Sequence, residues 1–135
     1  GFSGAQQGDI ATFDIAAGRW SLLPRDQQLG DVPAPRSVFS AAMAAGGSRG
    51  TAVVFGGERV ASDLGHEGAG EFAADLYALD ADALRWTAVR PEGEVPRARG
   101  WAGMAALSEG RMVLYGGLDT ENCRLGDAWE LSLTE

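Results

Sequence analysis

Residues 52–57 (AVVFGG), 75–80 (DLYALD) and 84–87 (LRWT) decide how this chain folds. Each is a short apolar or aromatic run that stops at glycines or a turn. Helical periodicity is absent, so the runs read as closely spaced antiparallel strands. The pattern recurs downstream. Met112-Val113-Leu114-Tyr115 ends in a second doublet, Gly116-Gly117, 60 residues after Gly56-Gly57, and Asp127-Ala128-Trp129-Glu130-Leu131 follows. Upstream, residues 8–15 (GDIATFDI) alternate apolar and polar, residues 16–18 make a turn, and Arg19-Trp20-Ser21-Leu22-Leu23 is a second strand. Asp14 and Trp20 return 66 residues later as Asp80 and Trp86.

Proline-bearing polar links at 24–35 and 91–96 lead to Arg36 and to Arg97 and Arg99, and apolar stretches follow at 38–45 and 101–107. Each unit thus holds four strands: an Arg-strand, a strand ending in Gly-Gly, an Asp-aromatic strand and a Trp-strand. A self-similar four-strand unit of this size marks a β-propeller blade. The apolar-Gly-Gly doublet, the Asp-Leu-Tyr-x-Leu-Asp strand and the spaced tryptophan resemble kelch repeats, and the resemblance covers nearly the whole chain. The expected fold is all-β: a kelch-type β-propeller fragment of about two and a half four-stranded blades, incomplete as a ring. Residues 1–23 form a partial blade, 34–89 a complete one and 97–133 another partial one. Tyr77, Trp86, Trp20 and Trp129 are expected to bury area between neighbouring sheets. A closed propeller needs four to eight blades, so the missing ones are expected from a longer chain or another subunit.

Composition narrows the function. The chain has 135 residues, enough for one core, and it is too apolar (45%) for a disordered segment. A net charge of −8 argues against nucleic acid or an anionic membrane as partner. No apolar run approaches the roughly 18 residues of a membrane helix. The single cysteine, Cys123, permits no internal disulfide. It reads as a bystander thiol, and its solitude fits a reducing compartment, so a cytoplasmic location is expected.

One loop does not read as scaffold. From Gly56 to Asp75 is 19 residues, against 11 from Gly116 to Asp127. The extra eight fall in a glycine-rich segment, 56–70, that carries Glu58, Asp63, Glu67 and the only histidine, His66. Carboxylates with an imidazole suit a borderline divalent metal such as Fe(II) or Zn(II). The same residues also fit a solvated acidic loop.

A narrower resemblance rests on Pro35-Arg36-Ser37-Val38-Phe39, Gly57-Glu58, Asp63-Leu64-Gly65-His66, Tyr77-Ala78-Leu79-Asp80 and Arg99-Gly100-Trp101. These are similar to the later blades of the plant specifier proteins: the nitrile-specifier, epithiospecifier and thiocyanate-forming proteins of glucosinolate breakdown. The resemblance implies an Fe(II) site on Glu58, Asp63 and His66. That family spaces its ligands four and four apart, whereas here the steps are five and three, so Glu67 is an alternative middle ligand or a residue supporting one. It further implies a lyase that diverts a thiohydroximate-O-sulfate, a small anionic sulfur-containing substrate, to a nitrile or related product, with Fe(II) on the thiolate sulfur. Arg36 and Arg99 are then candidate catalytic residues that hold the sulfate, with Trp101 or Phe39 as pocket walls. For the two arginines the other reading is a structural clamp on loop carbonyls, and Arg97 reads as a rim charge. The alternative function is a kelch protein–protein interaction module without catalysis, with a protein partner on the rim loops.

Overall fold

The computed structural model describes residues 6–44, 48–63, 68–108 and 110–133. They form β1 (Ile10–Asp14), β2 (Arg19–Leu23), one 3-10 turn (Arg25–Gln27), β3 (Leu29–Gly30), β4 (Ser40–Ala44), β5 (Thr51–Phe55), β6 (Glu58–Val60), β7 (Glu71–Phe72), β8 (Leu76–Asp80), β9 (Arg85–Val89), β10 (Gly103–Ser108), β11 (Arg111–Tyr115) and β12 (Ala128–Ser132). The architecture is the expected all-β propeller fragment, and its sheets do not close into a ring. β1 and β2 are an antiparallel hairpin, β4, β5, β8 and β9 are consecutive antiparallel neighbours, and β10, β11 and β12 form a three-stranded sheet.

Alternation along the strands explains the packing. In β5, Val53 and Phe55 face the same side, as do Met112 and Leu114 in β11. With Ala44 and Leu76 they make one buried cluster, against which Met104, Trp129 and Leu131 pack. The core therefore lies between the four-stranded blade and the sheet that follows it, and each blade is the lid of its neighbour.

Three details depart from the sequence reading. The Arg-strands begin later than their apolar stretches, at Ser40 and Gly103, because Val38 (φ 49°) and Trp101 (φ 54°) take the left-handed conformation at matching places. Such angles in non-glycine residues cost about 1–3 kcal/mol and persist only where the surroundings impose them. The link at 24–35 is also more than a connector. It supplies β3, which pairs parallel with β9 as a fifth strand, and it buries Gln28, whose Oε1 accepts a 2.8 Å bond from the Trp86 indole. Finally, Trp20 is 68% exposed where burial is expected. Among the described residues its hairpin pairs with no further strand, and the ring rests on Phe13 of the same hairpin with 4.9 Å between centres, whereas Trp86 is buried.

The second glycine of each doublet is held at positive φ, 92° at Gly57 and 103° at Gly117. A Cβ on Gly57 would stand 2.7 Å from the Ser37 carbonyl oxygen, and one on Gly117 2.7 Å from that of Gly100. Neither position admits a side chain. Gly57→Ala is expected to cost about 2–4 kcal/mol, because that collision adds to the left-handed penalty. Gly18→Ala, with φ 61° and nothing near the new methyl, should cost about 1 kcal/mol. Urea denaturation midpoints compare the two. Equal losses would mean that Gly57 is not packed against its blade.

Candidate functional site

The rim beside the glycine doublets is built on two arginines. Arg36 Nε donates to the Ala34 carbonyl (3.1 Å) and Nη1 to the Gly56 carbonyl (2.9 Å), while Nη1 and Nη2 clasp both oxygens of Asp75 at 2.6 and 3.0 Å. Its guanidinium also stands 5.3 Å from the Tyr77 ring centre. Arg99 repeats the set one blade on, with the Arg97 and Gly116 carbonyls at 3.1 and 2.9 Å and the two Asp127 oxygens at 2.7 and 2.8 Å. Both arginines are buried. Four bonds on each thus go to the scaffold, in the bidentate geometry that guanidinium and carboxylate favour. The structure places the two residues in successive blades, each inside its own clamp. The partner carboxylates went unrecognised in the sequence, although Asp75 and Asp127 recur once per unit as the arginines do.

The clamp perturbs its acid. The Asp127 carboxyl lies well below the usual carboxylate range, first because of the Arg99 hydrogen bonds and then because the Trp129 indole donates to it at 2.6 Å.

The long loop is a small hairpin. β6 pairs antiparallel with β7, and Arg59 bridges to Glu71 across it at 2.8 Å. Glu58 is buried, its Oε1 accepting from the Gly70 backbone N–H (3.1 Å) and its Oε2 from the Gln6 amide (3.3 Å). Its backbone bridges to Ser37. Asp63 is exposed on the turn beyond β6. His66 and Glu67 lie outside the described residues. The carboxylate of Glu58 thus supports the loop's own backbone, and what the described residues show of the Glu58, Asp63, His66 set is one acid turned inward and one turned to solvent.

In the next blade the corresponding loop is short. Asp119 accepts from the backbone N–H groups of Glu121 and Cys123 and from Arg97 at 3.3 Å. Those bonds hold its carboxyl below its ordinary value, the Cys123 N–H foremost. Arg97 is a largely exposed rim charge, as expected. Asp119, Glu121 and Cys123 cluster closely enough to share a cation, but the cluster is accounted for as a turn closed by its own backbone. Around these groups the rim shows apolar surface. Trp101 packs edge-on against Phe72 with 5.6 Å between ring centres, yet is 49% exposed, and Val60 is 56% exposed. The Trp101 backbone N–H bonds to the Val38 carbonyl at 2.9 Å, which sews the two blades together at this rim.

Comparison with known proteins gives one family. The model of the KLHDC2/KLHL20/DRC7 Kelch-repeats domain matches residues 1–135. Kelch domain-containing protein 1 of Mus musculus is 29% identical over 127 residues, 93% of this chain and 28% of that protein. Kelch domain-containing protein 2 of Bos taurus is 28% identical over 106 residues, 78% of this chain and 23% of that protein. Kelch domain-containing protein 1 of Homo sapiens is 26% identical over 127 residues, 93% and 28% of the two chains. The chain therefore spans less than a third of the length of these relatives. The matches give no link to the plant specifier proteins, and iron, lyase activity and glucosinolates find no support in them.

Removing the acid from a clamp leaves a buried guanidinium alone. Asp127→Asn is expected to cost about 3 kcal/mol at pH 7, the low end for such a loss because Asp127 itself is partly solvated. A carboxyl with a depressed folded pKa stabilises the fold above its unfolded value near 4 and loses that contribution as pH falls below it. The parent chain should therefore weaken from about pH 4 downward, and Asp127→Asn should flatten that dependence. Denaturant unfolding at pH 7 and at pH 3 measures both effects, and an unchanged acid limb would contradict the clamp.

Proposed function

The chain belongs to the KLHDC2/KLHL20/DRC7 kelch-repeat domain family, and from this premise we propose that it works as a protein-interaction module that offers one rim of a propeller to a partner. One observation carries the reading. On that rim the polar groups Arg36, Arg99, Glu58 and Asp119 are bonded to the scaffold, while Trp101 and Val60 stand out from it. Half-exposed aromatic and aliphatic side chains on a rigid frame are what a protein partner buries as anchors. Exposed Phe39 follows the left-handed Val38 on the same rim. The net charge of −8 favours a partner whose contacting surface is neutral or basic.

A metal-dependent lyase draws no support from the geometry described. It would need Arg36 and Arg99 to turn from their aspartates toward a sulfate, and Glu58 to turn from the Gly70 N–H toward a metal.

Trp101→Ala is expected to weaken capture of a physiological partner at least about tenfold, as hot-spot aromatics do, while the folding midpoint moves little. Trp20→Ala, on the hairpin outside this rim, should leave capture unchanged. Quantitative pull-down with both variants, beside an anaerobic Fe(II) titration of the parent and His66→Ala chains, decides the matter. Stoichiometric iron lost with His66, together with partner capture indifferent to Trp101, would overturn the module in favour of the metal site.

A further inference from the structure

The loops after the two glycine doublets leave and re-enter their blades by the same bonds. The Glu58 N–H donates to the Ser37 carbonyl at 2.8 Å, and the Leu118 N–H to the Gly100 carbonyl at 2.9 Å. At the far ends the Ala73 N–H reaches the Gly57 carbonyl and the Leu125 N–H the Gly117 carbonyl, both at 2.9 Å. The Asp75 and Asp127 carbonyls then accept from the first glycine of each doublet, both at 3.1 Å. Glu58 therefore matches Leu118, and Ala73 matches Leu125. Between these ends lie residues 59–72 in one blade and 119–124 in the next, eight fewer.

The short loop shows what closing a blade requires. It turns within itself, the Asp119 N–H donating to the Cys123 carbonyl and the Asn122 N–H to the Asp119 carbonyl, both at 3.1 Å. The eight further residues of the long loop are surplus to closure, yet they are not slack. β6 pairs with β7, Glu58 holds the Gly70 N–H from below, and Phe72 is buried edge-on to Trp101. Gly100 makes room for that ring, since a Cβ there would stand 3.0 Å from it. A mere spacer needs none of this, because lengthening a loop costs little entropy. The root of the hairpin is thus fixed, and its outer part stands clear of the blade. Val60 is exposed there. Of the hairpin's described charges, Glu58 is buried, Arg59 and Glu71 satisfy each other at 2.8 Å, and Asp63 faces solvent.

Building on the interaction-module reading, we propose that the hairpin of β6 and β7 is an exchangeable recognition arm, and that its partner is a protein segment carrying a lysine or arginine beside an apolar side chain. The arm determines which partner is chosen, and the blade beneath it does not. Val60 on the arm and Trp101 at its root take the apolar side chain. Asp63 takes the cation, because the Arg59–Glu71 pair cancels and the chain as a whole carries −8. That field draws a basic segment in and repels an acidic one. Phe72 acts as a positioning residue. It anchors the arm under Trp101, so arm and indole meet the partner as one preformed surface.

A loop exchange tests this, with residues 58–71 replaced by a copy of 118–123 so that Phe72 stays in place. Because the ends match, the exchanged chain should fold with Tm within about 5 °C of the parent. Short random peptides displayed on phage are selected on the parent and then measured on both chains. The peptides recovered should pair an apolar residue with lysine or arginine and bind the exchanged chain at least about tenfold more weakly. Their affinity should fall at least about tenfold with Asp63→Lys and fall again between about 50 and 300 mM salt. Asp26→Lys, on the link at 24–35, should change nothing. Should the exchanged chain fail to fold, Asp63→Lys and Val60→Ser carry the same comparison with the root intact. Recovery of no peptide sensitive to the arm, enrichment of acidic peptides, or binding that requires added Fe(II) would overturn the proposal. Peptides indifferent to the arm yet weakened by Trp101→Ala would overturn it while leaving the interaction module standing.

Discussion

The guanidinium of each Arg-strand reaches across its own blade. Arg36 ties Gly56 and Asp75 together, and Arg99 ties Gly116 and Asp127. In one contact the arginine fixes where the Gly-Gly strand ends, where the next strand begins and which way the loop between them leaves. The desolvation of a buried cation is large, and only a carboxylate with further acceptors offsets it. Loop length can then vary between blades, 19 residues against 11 from Gly to Asp, without disturbing the sheet beneath. The rim tolerates an insertion because the clamp closes under it.

Between blades the fixing is done by backbone and by apolar area. The Gly57 N–H donates to the Arg99 carbonyl at 2.9 Å, and the Arg99 N–H to the Ala73 carbonyl at 3.3 Å. Arg36 takes the same bond from the blade before it, its N–H reaching the Gln7 carbonyl at 3.2 Å. Residues two before each strand-opening aspartate are thus the receiving edge of the next blade. Beneath them the core cluster spans two sheets, so no blade buries its apolar face alone. That is the general condition of repeat architectures.

Functional readings rest on what this frame leaves over. Charged side chains that could have served chemistry are drawn into the frame, and Glu58 is held by the backbone of the loop it belongs to. What remains on the rim is apolar surface at Trp101 and Val60, beside the exposed charges of Arg97, Arg59 and Asp63. Membership of a kelch family agrees with a surface made for contact, and it does not name the partner, because a scaffold constrains its loops only at their ends.

The sequence alone determined the strands, their order and the repeat. Alternation of Val53 and Phe55, doublets at fixed places and recurring tryptophans are local signals, and local sterics and burial act on them directly. It also marked Arg36, Arg99 and the 56–70 loop as unusual. Tertiary structure decided what those residues touch. An arginine has the same letter whether its fork meets a sulfate or an aspartate 39 residues away. Only the folded blade brings Asp75 to Arg36, turns Glu58 under its own hairpin and bends the backbone at Val38 and Trp101. Those are long-range contacts, made by chain closure between residues far apart in sequence, and no local pattern records them.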